Sequence, residues 1–219
     1  MIEGHFVVLE GIDGSGTSTQ AELLGRWFRS RGLPVLVTHE PTDGPIGSMI
    51  HQVLTHRLVL PGMTGSRAPS WKTMALLFAA DRLDHLETTI LPNLRDGVTV
   101  ISDRYDLSSI AYQCVSGGAD QDSELVQWVH SINSMARRPD LTIVLDVAHH
   151  VAARRRDERA GTAELYEERT LQEALQKAYE KAESLVPGDK LVHVDGNRDI
   201  EIVRDDVIDT VDMLRHRYL

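Results

Sequence analysis

Residues 6–20 read FVVLEGIDGSGTSTQ. The apolar run at 6–9 is typical of a short strand that is buried on both faces, and a helical pattern begins at about Ser18. The loop between them contains three glycines, Gly11, Gly14 and Gly16. Glycine lets backbone N–H groups approach an anion closely, and the N-terminus of a helix adds the positive end of its dipole. This succession of strand, loop and helix predicts a phosphate-binding loop.

The spacing of Gly11, Gly16 and Ser18 matches the motif that binds nucleoside triphosphates, except at one position. Thr17 stands where the motif has lysine, and residues 11–19 contain no basic side chain. That lysine normally contacts the β- and γ-phosphates. Either another basic residue supplies the missing charge, or the activity is low or lost.

The composition indicates a globular protein with a well-buried core. The chain has 219 residues, of which 42% are hydrophobic and 26% charged, and we expect a single domain over residues 1–219. The formal net charge of -10 argues against a nucleic-acid backbone as the main partner. No apolar run is long enough to cross a membrane, and the N-terminus lacks a signal-like segment. With one cysteine, Cys114, these features predict a cytoplasmic protein.

Short apolar runs alternate with helical patterns along the whole chain. The predicted strands are residues 6–9, 33–38, 98–102, 141–146 and 191–195. The predicted helices are residues 21–31, 48–56, 71–94, 108–114, 123–136, 149–159, 163–184 and 200–218. Residues 39–47 and 60–70 are predicted to be loops because of their proline and glycine content. This alternation predicts an α/β protein of three layers, with a five-stranded parallel sheet covered by helices on both faces.

Polar residues follow several of the predicted strands directly. Glu10, Asp103 and Asp146 lie at strand ends, as do the glycine-rich loop and the pair His39-Glu40. In parallel sheets of this kind, ligands bind beyond the carboxyl ends of the strands. We therefore expect these segments to meet at one edge of the sheet.

Asp103 and Arg104 follow the third predicted strand. A carboxylate there can hold Mg²⁺ directly or through water, and a guanidinium beside it can bind a phosphate with two parallel hydrogen bonds. The plainer interpretation is an acid that caps the next helix beside a surface arginine. The neighbouring phosphate-binding loop favours the functional interpretation.

Four arginines lie within six positions of one predicted helix: Arg154, Arg155, Arg156 and Arg159. A charged, solvated face would explain them. The alternative hypothesis is a mobile lid, at about residues 149–163, that closes positive charge over the transferring phosphates and excludes water.

Phe78 and Arg82 share one face of the 71–94 helix. They are either ordinary core residues or a ring and a guanidinium that recognise a nucleobase.

Taken together, these segments resemble the thymidylate kinase family of P-loop nucleoside-monophosphate kinases. The similar segments are FVVLEGIDGSG…STQ, HEP at 39–41, LLFAADR at 76–82, DRYDLSSIAYQ at 103–113, and the arginine run with Tyr166-Glu167 after it. The resemblance implies a P-loop NTPase fold and transfer of the γ-phosphoryl group of ATP to dTMP with Mg²⁺, giving dTDP and ADP for dTTP synthesis. It also implies a homodimer built on long helices.

The resemblance further implies roles for individual residues. The catalytic residues would be Arg104, Arg154, Arg155, Arg156 and Arg159. ATP would be bound by Gly11, Ile12, Asp13, Gly14, Ser15, Gly16, Thr17, Ser18 and Thr19. The residues at dTMP would be Asp13, Glu40, Phe78, Arg82, Arg104, Tyr105, Ser109, Tyr112, Gln113 and Tyr166. The metal would be held or ordered by Ser18, Asp13, Asp103 and Glu167.

The sequence departs from the family at a few positions. His39 replaces an arginine, Thr17 replaces the lysine, and the 60–70 segment is longer than usual. Three hypotheses therefore remain: an active dTMP kinase, a kinase for another deoxynucleotide or for a nucleoside, and a nucleotide-binding protein that has lost catalysis. Our hypothesis for the active enzyme is that the lid arginines replace the lysine.

Overall fold

A computed structural model describes residues 3–62, 65–118, 124–158, 165–166 and 168–216. The strands are β1 Phe6–Glu10, β2 Val35–His39, β3 Leu60–Gly62, β4 Gly65–Arg67, β5 Thr99–Asp103, β6 Leu141–Asp146 and β7 Leu191–Asp195. The helices are α1 Thr17–Ser30, α2 Pro45–Leu54, α3 Trp71–His85, α4 Leu91–Arg95, α5 Asp106–Ser116, α6 Glu124–Ile132, α7 His149–Asp157, α8 Arg169–Tyr179, α9 Ala182–Leu185 and α10 Ile200–His216. A π-helical segment, Leu86–Ile90, joins α3 to α4.

The main sheet is parallel and has the strand order β2-β5-β1-β6-β7. Helices cover both of its faces. Alternate residues of β1 point to opposite sides: Val7 and Leu9 pack in one hydrophobic cluster, and Phe6 and Val8 in another. The first cluster includes residues of α1 and α10, and the second includes residues of the π-helical segment and α4. The predicted α/β class and five-stranded parallel sheet are confirmed.

Two segments that were predicted to be loops contain regular structure. The 60–70 segment is not wholly irregular, because β3 and β4 pair as a small antiparallel hairpin with Gly62 opposite Gly65. All six strand residues are exposed, so no alternation of apolar and polar residues indicated strands there. Helix α2 begins at Pro45, inside the predicted 39–47 loop. Proline fits the first turn of a helix because its missing N–H needs no partner there.

The long predicted helix at 71–94 is present but changes its winding. Residues 71–85 are α-helical, residues 86–90 form the π-helical segment, and α4 ends at Arg95. Ser70 caps the first turn by accepting a hydrogen bond from the backbone N–H of Thr73. In the described ranges, no helix is both long enough and apolar enough to cross a membrane.

Candidate active site

The glycine-rich loop leads directly into the N-terminus of α1. Gly14 and Gly16 have φ values of 86° and 99°, which favour glycine. No side chain caps this end of α1 in the part of the chain that the structure describes. Its first backbone N–H groups are therefore directed at the loop, where they can bind a phosphate.

Helix α7 packs directly against this loop. A Cβ atom at Gly14 would lie 2.5 Å from the carbonyl oxygen of Ala152 and 3.0 Å from Cγ of Arg156. The backbones of the loop and of α7 are thus closer than any larger residue at position 14 would allow. The arginine-rich helix therefore lies over the phosphate-binding loop.

The arginines of α7 point in different directions. Arg155 donates hydrogen bonds to the carbonyl oxygens of Ser15, at 3.3 Å, and Gly196, at 2.9 Å. Arg156 donates to the carbonyl oxygen of Asp13. The side chain of Arg154 is 73% exposed and lies 4.0 Å from Glu158. Arg159 lies outside the described residues, as does part of the predicted 149–163 lid.

A candidate metal site lies where α1 begins beside the end of β5. The hydroxyl group of Ser18 donates a hydrogen bond to Oδ2 of Asp103. The other carboxylate oxygen, Oδ1, is buried and has no hydrogen-bond partner among the residues described. Hydroxyl and carboxylate oxygens are ligands that Mg²⁺ prefers. These two residues therefore fit a magnesium ion, whereas Glu167, also predicted at the metal, lies outside the described residues.

Arg104 lies between the loop and α5 with φ +71°. Its guanidinium donates to the carbonyl oxygen of Gly11 at 2.9 Å and to Oγ of Ser108 at 3.0 Å, and it forms an ion pair of 2.7 Å with Asp13. The other carboxylate oxygen of Asp13 accepts a hydrogen bond of 2.8 Å from Gln172. Arg104 is therefore held rigidly beside the phosphate-binding loop.

A cavity that is partly open to solvent lies beside Arg104. All ten residues that the resemblance assigns to dTMP line it, and so do His51 and Ser108. Two buried polar atoms of these residues have no hydrogen-bond partner in the described ranges: the hydroxyl oxygen of Tyr105 and Nε of Arg82. Leaving such atoms unpaired is costly. The cavity is therefore suited to a ligand that combines apolar surface with donors and acceptors.

Arg82 has a structural role that the sequence does not indicate. It is almost fully buried and forms a 2.8 Å ion pair with Glu40. Its terminal nitrogens also donate to Asn133, to the carbonyl oxygen of Tyr105 and to Oγ of Ser109. Only Nε lacks a partner within the described part of the chain. Arg82 thus holds four segments together and retains one donor atom for a ligand.

A second cavity, partly open to solvent, also borders the phosphate-binding loop. Ser15, Gly16, Thr19 and Arg155, which were predicted site residues, line it. The sequence analysis missed six others: Gln20, Glu158, Gly196, Arg198, Ile200 and Val203. Four of these residues follow β7. Because ligands bind beyond the carboxyl ends of parallel strands, this position could have identified them as site residues.

Glu10 was noted at a strand end but not assigned to the site. Its carboxylate is fully buried and accepts hydrogen bonds from the backbone N–H of Tyr105 at 2.8 Å, from the hydroxyl of Ser108 at 2.5 Å and from the hydroxyl of Tyr179 at 3.0 Å. Ser108 also contacts Arg104. Glu10 therefore supports the residues that position Arg104.

Burial raises the pKa of the Glu10 carboxyl from 4.5 to about 7, although the charge of Arg104 and the hydrogen bonds lower it. Between these two pH values the folded protein binds a proton that the unfolded chain does not. The free energy of unfolding should therefore fall as the pH rises through this interval, by up to about 3 kcal/mol, and stay level above it.

Glu10→Gln should lack this pH dependence of the free energy of unfolding, because an amide does not titrate in this pH range. Denaturant unfolding of both proteins between pH 5 and 8 measures it. The free energy of unfolding of the variant minus that of the wild type should increase from pH 5 to about pH 7. Parallel profiles would show that Glu10 keeps an ordinary pKa.

The chain matches the family model for thymidylate kinase over residues 9–207. It is 38% identical over 218 residues to a probable thymidylate kinase of Pyrococcus horikoshii, covering 100% of this chain and 99% of that one. A probable thymidylate kinase of Pyrococcus abyssi is 40% identical over 207 residues, with 94% and 95% covered. A putative thymidylate kinase of Treponema pallidum is 36% identical over 212 residues, with 93% of each covered. The chain belongs to the thymidylate kinase family.

Proposed function

We propose that this protein transfers the γ-phosphoryl group of ATP to dTMP, giving dTDP and ADP. One observation carries the proposal: two separate cavities border a single phosphate-binding loop, with Asp13 lining one and Ser15 and Gly16 lining the other. A donor and an acceptor bound in these cavities would bring their phosphates together at the loop. The names of the relatives support dTMP as the acceptor, and the phosphate-binding loop supports a nucleoside triphosphate as the donor.

On the donor side, ATP would bind residues 11–19 through backbone N–H groups and the start of α1. Its nucleoside would occupy the cavity that Gln20, Arg198 and Ile200 line. Ser18 and Asp103 would hold Mg²⁺, which would neutralise charge on the phosphates. The carboxylate of Asp13 is already bound by Arg104 and Gln172. We therefore assign Asp13 chiefly to positioning Arg104.

On the acceptor side, the base of dTMP would stack on Phe78 and meet Nε of Arg82 and the amide of Gln113. Tyr105 and Tyr112 would enclose the sugar, and the remaining residues would complete the cavity, including Glu40, Ser109 and Tyr166. Arg104 would bind the acceptor phosphate. The attacking oxygen is already anionic, so positioning and charge neutralisation lower the barrier without a general base.

Arg155 and Arg156 are our candidates for the charge that Thr17 does not supply. Both reach carbonyl oxygens of the phosphate-binding loop from the lid helix. Thr17 itself is buried, with 5% exposure. A guanidinium of α7 that turned from a carbonyl oxygen to a phosphate would exchange a neutral partner for a charged one, which strengthens the hydrogen bond.

A homodimer is also part of this proposal. Helices α2 and α3 pack against each other, and each carries an exposed large apolar side chain, Met49 at 44% and Leu76 at 51%. Association of two copies through these helices would cover both side chains. Light scattering of the purified protein gives the mass of the particle in solution.

The experiment that tests the activity is ADP release with ATP and Mg²⁺, with each nucleoside monophosphate offered separately. Turnover confined to dTMP is the expected result. Preferential turnover of another deoxynucleotide would make the protein a kinase for that acceptor. No turnover by the native chain but turnover by a Thr17→Lys variant would indicate a nucleotide-binding protein that has lost catalysis.

A further inference from the structure

Three potential metal ligands converge beside the acceptor cavity: His39, Asp43 and His51. One ligand atom from each lies within 4.8 Å of the other two. Nε2 of His39 is 3.7 Å from Oδ2 of Asp43. The phosphoryl transfer proposed above gives His39 no role, although it stands where the family carries arginine.

Separate elements hold the three residues of this cluster. His39 ends β2, where it lies opposite Asp103 in the sheet register. Asp43 lies in the loop before α2, and His51 lies within α2. One ring nitrogen of His51, Nε2, is 3.2 Å from the carbonyl oxygen of Pro41. A hydrogen bond from a ring N–H to a backbone carbonyl is a common way to fix the orientation and tautomer of a metal-binding histidine.

We propose that His39, Asp43 and His51 bind a divalent transition-metal ion, such as Zn²⁺ or Co²⁺. Two imidazoles and one carboxylate form a donor set that favours such ions over Mg²⁺. Three protein ligands leave at least one coordination position for water or another ligand. Ser18 and Asp103 offer only oxygen atoms, so the two sites select different metals.

An ion at this cluster would act on the acceptor cavity through His51, which lines that cavity. It would connect the end of β2 and the loop after it to α2. The loop includes Glu40 and Pro41, which also line the cavity. The metal would therefore fix one wall of the cavity in place. An ion pair between His39 and Asp43 alone would not connect His51 to the end of β2.

The test is a titration of the full-length protein with Co²⁺ after treatment with a chelator. Millimolar Mg²⁺ is kept present to occupy sites made only of oxygen, and no nucleotide is added. One Co²⁺ per chain should bind and give visible absorption typical of nitrogen ligation. His39→Gln, Asp43→Asn and His51→Gln should each weaken binding by more than about tenfold, because loss of a direct ligand should cost at least as much as loss of its supporting partner. His150→Gln, an exposed histidine on α7, is the matched control and should bind as the wild type does.

Two results would overturn the proposal: no stoichiometric binding of Co²⁺ by the wild type, or binding that survives unchanged in the His39 and Asp43 variants. These two side chains are 47% and 89% exposed, so their replacement should leave the fold intact, which circular dichroism checks. The readout involves neither ATP nor dTMP. Its failure is therefore distinguishable from failure of the proposed kinase activity.

Discussion

Arg104→Ala should lower kcat/KM for dTMP by about 10³-fold, or about 4 kcal/mol of transition-state stabilisation. The guanidinium lies beside the phosphate-binding loop and is held by Asp13, Gly11 and Ser108. Since its orientation is fixed before substrate binds, little reorganisation is needed when charge develops on the transferring phosphoryl group. Steady-state kinetics with dTMP varied at saturating ATP measure the effect.

Arg104→Lys separates charge from geometry. Lysine keeps the positive charge but cannot form the two parallel hydrogen bonds of a guanidinium. We expect this variant to recover only part of the lost activity. Arg29→Ala, at the exposed end of α1, is the control and should behave as the wild type. An Arg104→Ala enzyme within about threefold of wild-type kcat/KM would remove Arg104 from the mechanism.

Arg155→Ala and Arg156→Ala should each lower kcat by about 10²-fold, comparable to the loss of one positioned electrostatic donor. Both side chains reach the phosphate-binding loop, whose Thr17 supplies no charge. Arg154→Ala is the matched control on the same helix. Its side chain is largely exposed, so we expect a change of less than about threefold. Single-turnover measurement of ADP formation isolates the chemical step from product release.

Rescue distinguishes a lost charge from a damaged lid. Adding Thr17→Lys to the Arg155 and Arg156 variants should restore part of the activity if the lid arginines serve in place of the lysine. If the doubly substituted proteins remain as slow as the single variants, the arginines act by holding α7 against the loop. Equal effects at positions 154, 155 and 156 would contradict the assignment outright.

The parallel sheet follows from local sequence features because its strands are apolar runs bounded by polar residues. Strands β6 and β7 match their predicted limits residue for residue. Residues of the site at the carboxyl ends of β1 and β5 could also be predicted, since topology alone brings such ends together. The β3–β4 hairpin could not, because six exposed residues carry no pattern of burial.

Contacts between distant segments account for most of what the sequence did not predict. Gln172 reaches Asp13 across 159 positions, and Tyr179 reaches Glu10 across 169. Neither residue belongs to a recognisable motif. Arg82 was identified by its position four residues after Phe78, but spacing could not indicate that Glu40 would form an ion pair with it.

The π-helical segment Leu86–Ile90 determines where the surrounding helix can lose a single residue. The helix around it has two fixed ends. On one side, Arg82 is held by its ion pair with Glu40. On the other side, Leu94 is packed in the core beneath the sheet. The wider winding lies between these two ends.

Each residue of an α-helix turns the chain by about 100°. A single π-helical turn holds one residue more than an α-helical turn, so the helix on either side keeps nearly the same rotation that it would have without the extra residue. Deletion of one residue between 86 and 90 should therefore restore regular α-helical winding and leave Arg82 and Leu94 facing the same way. Deletion of one residue from the regular turns of α3 after Arg82 would instead rotate Arg82 relative to Leu94 by about 100°. The segment is therefore the place where this helix can lose a residue without moving Arg82 out of the acceptor cavity or Leu94 out of the core.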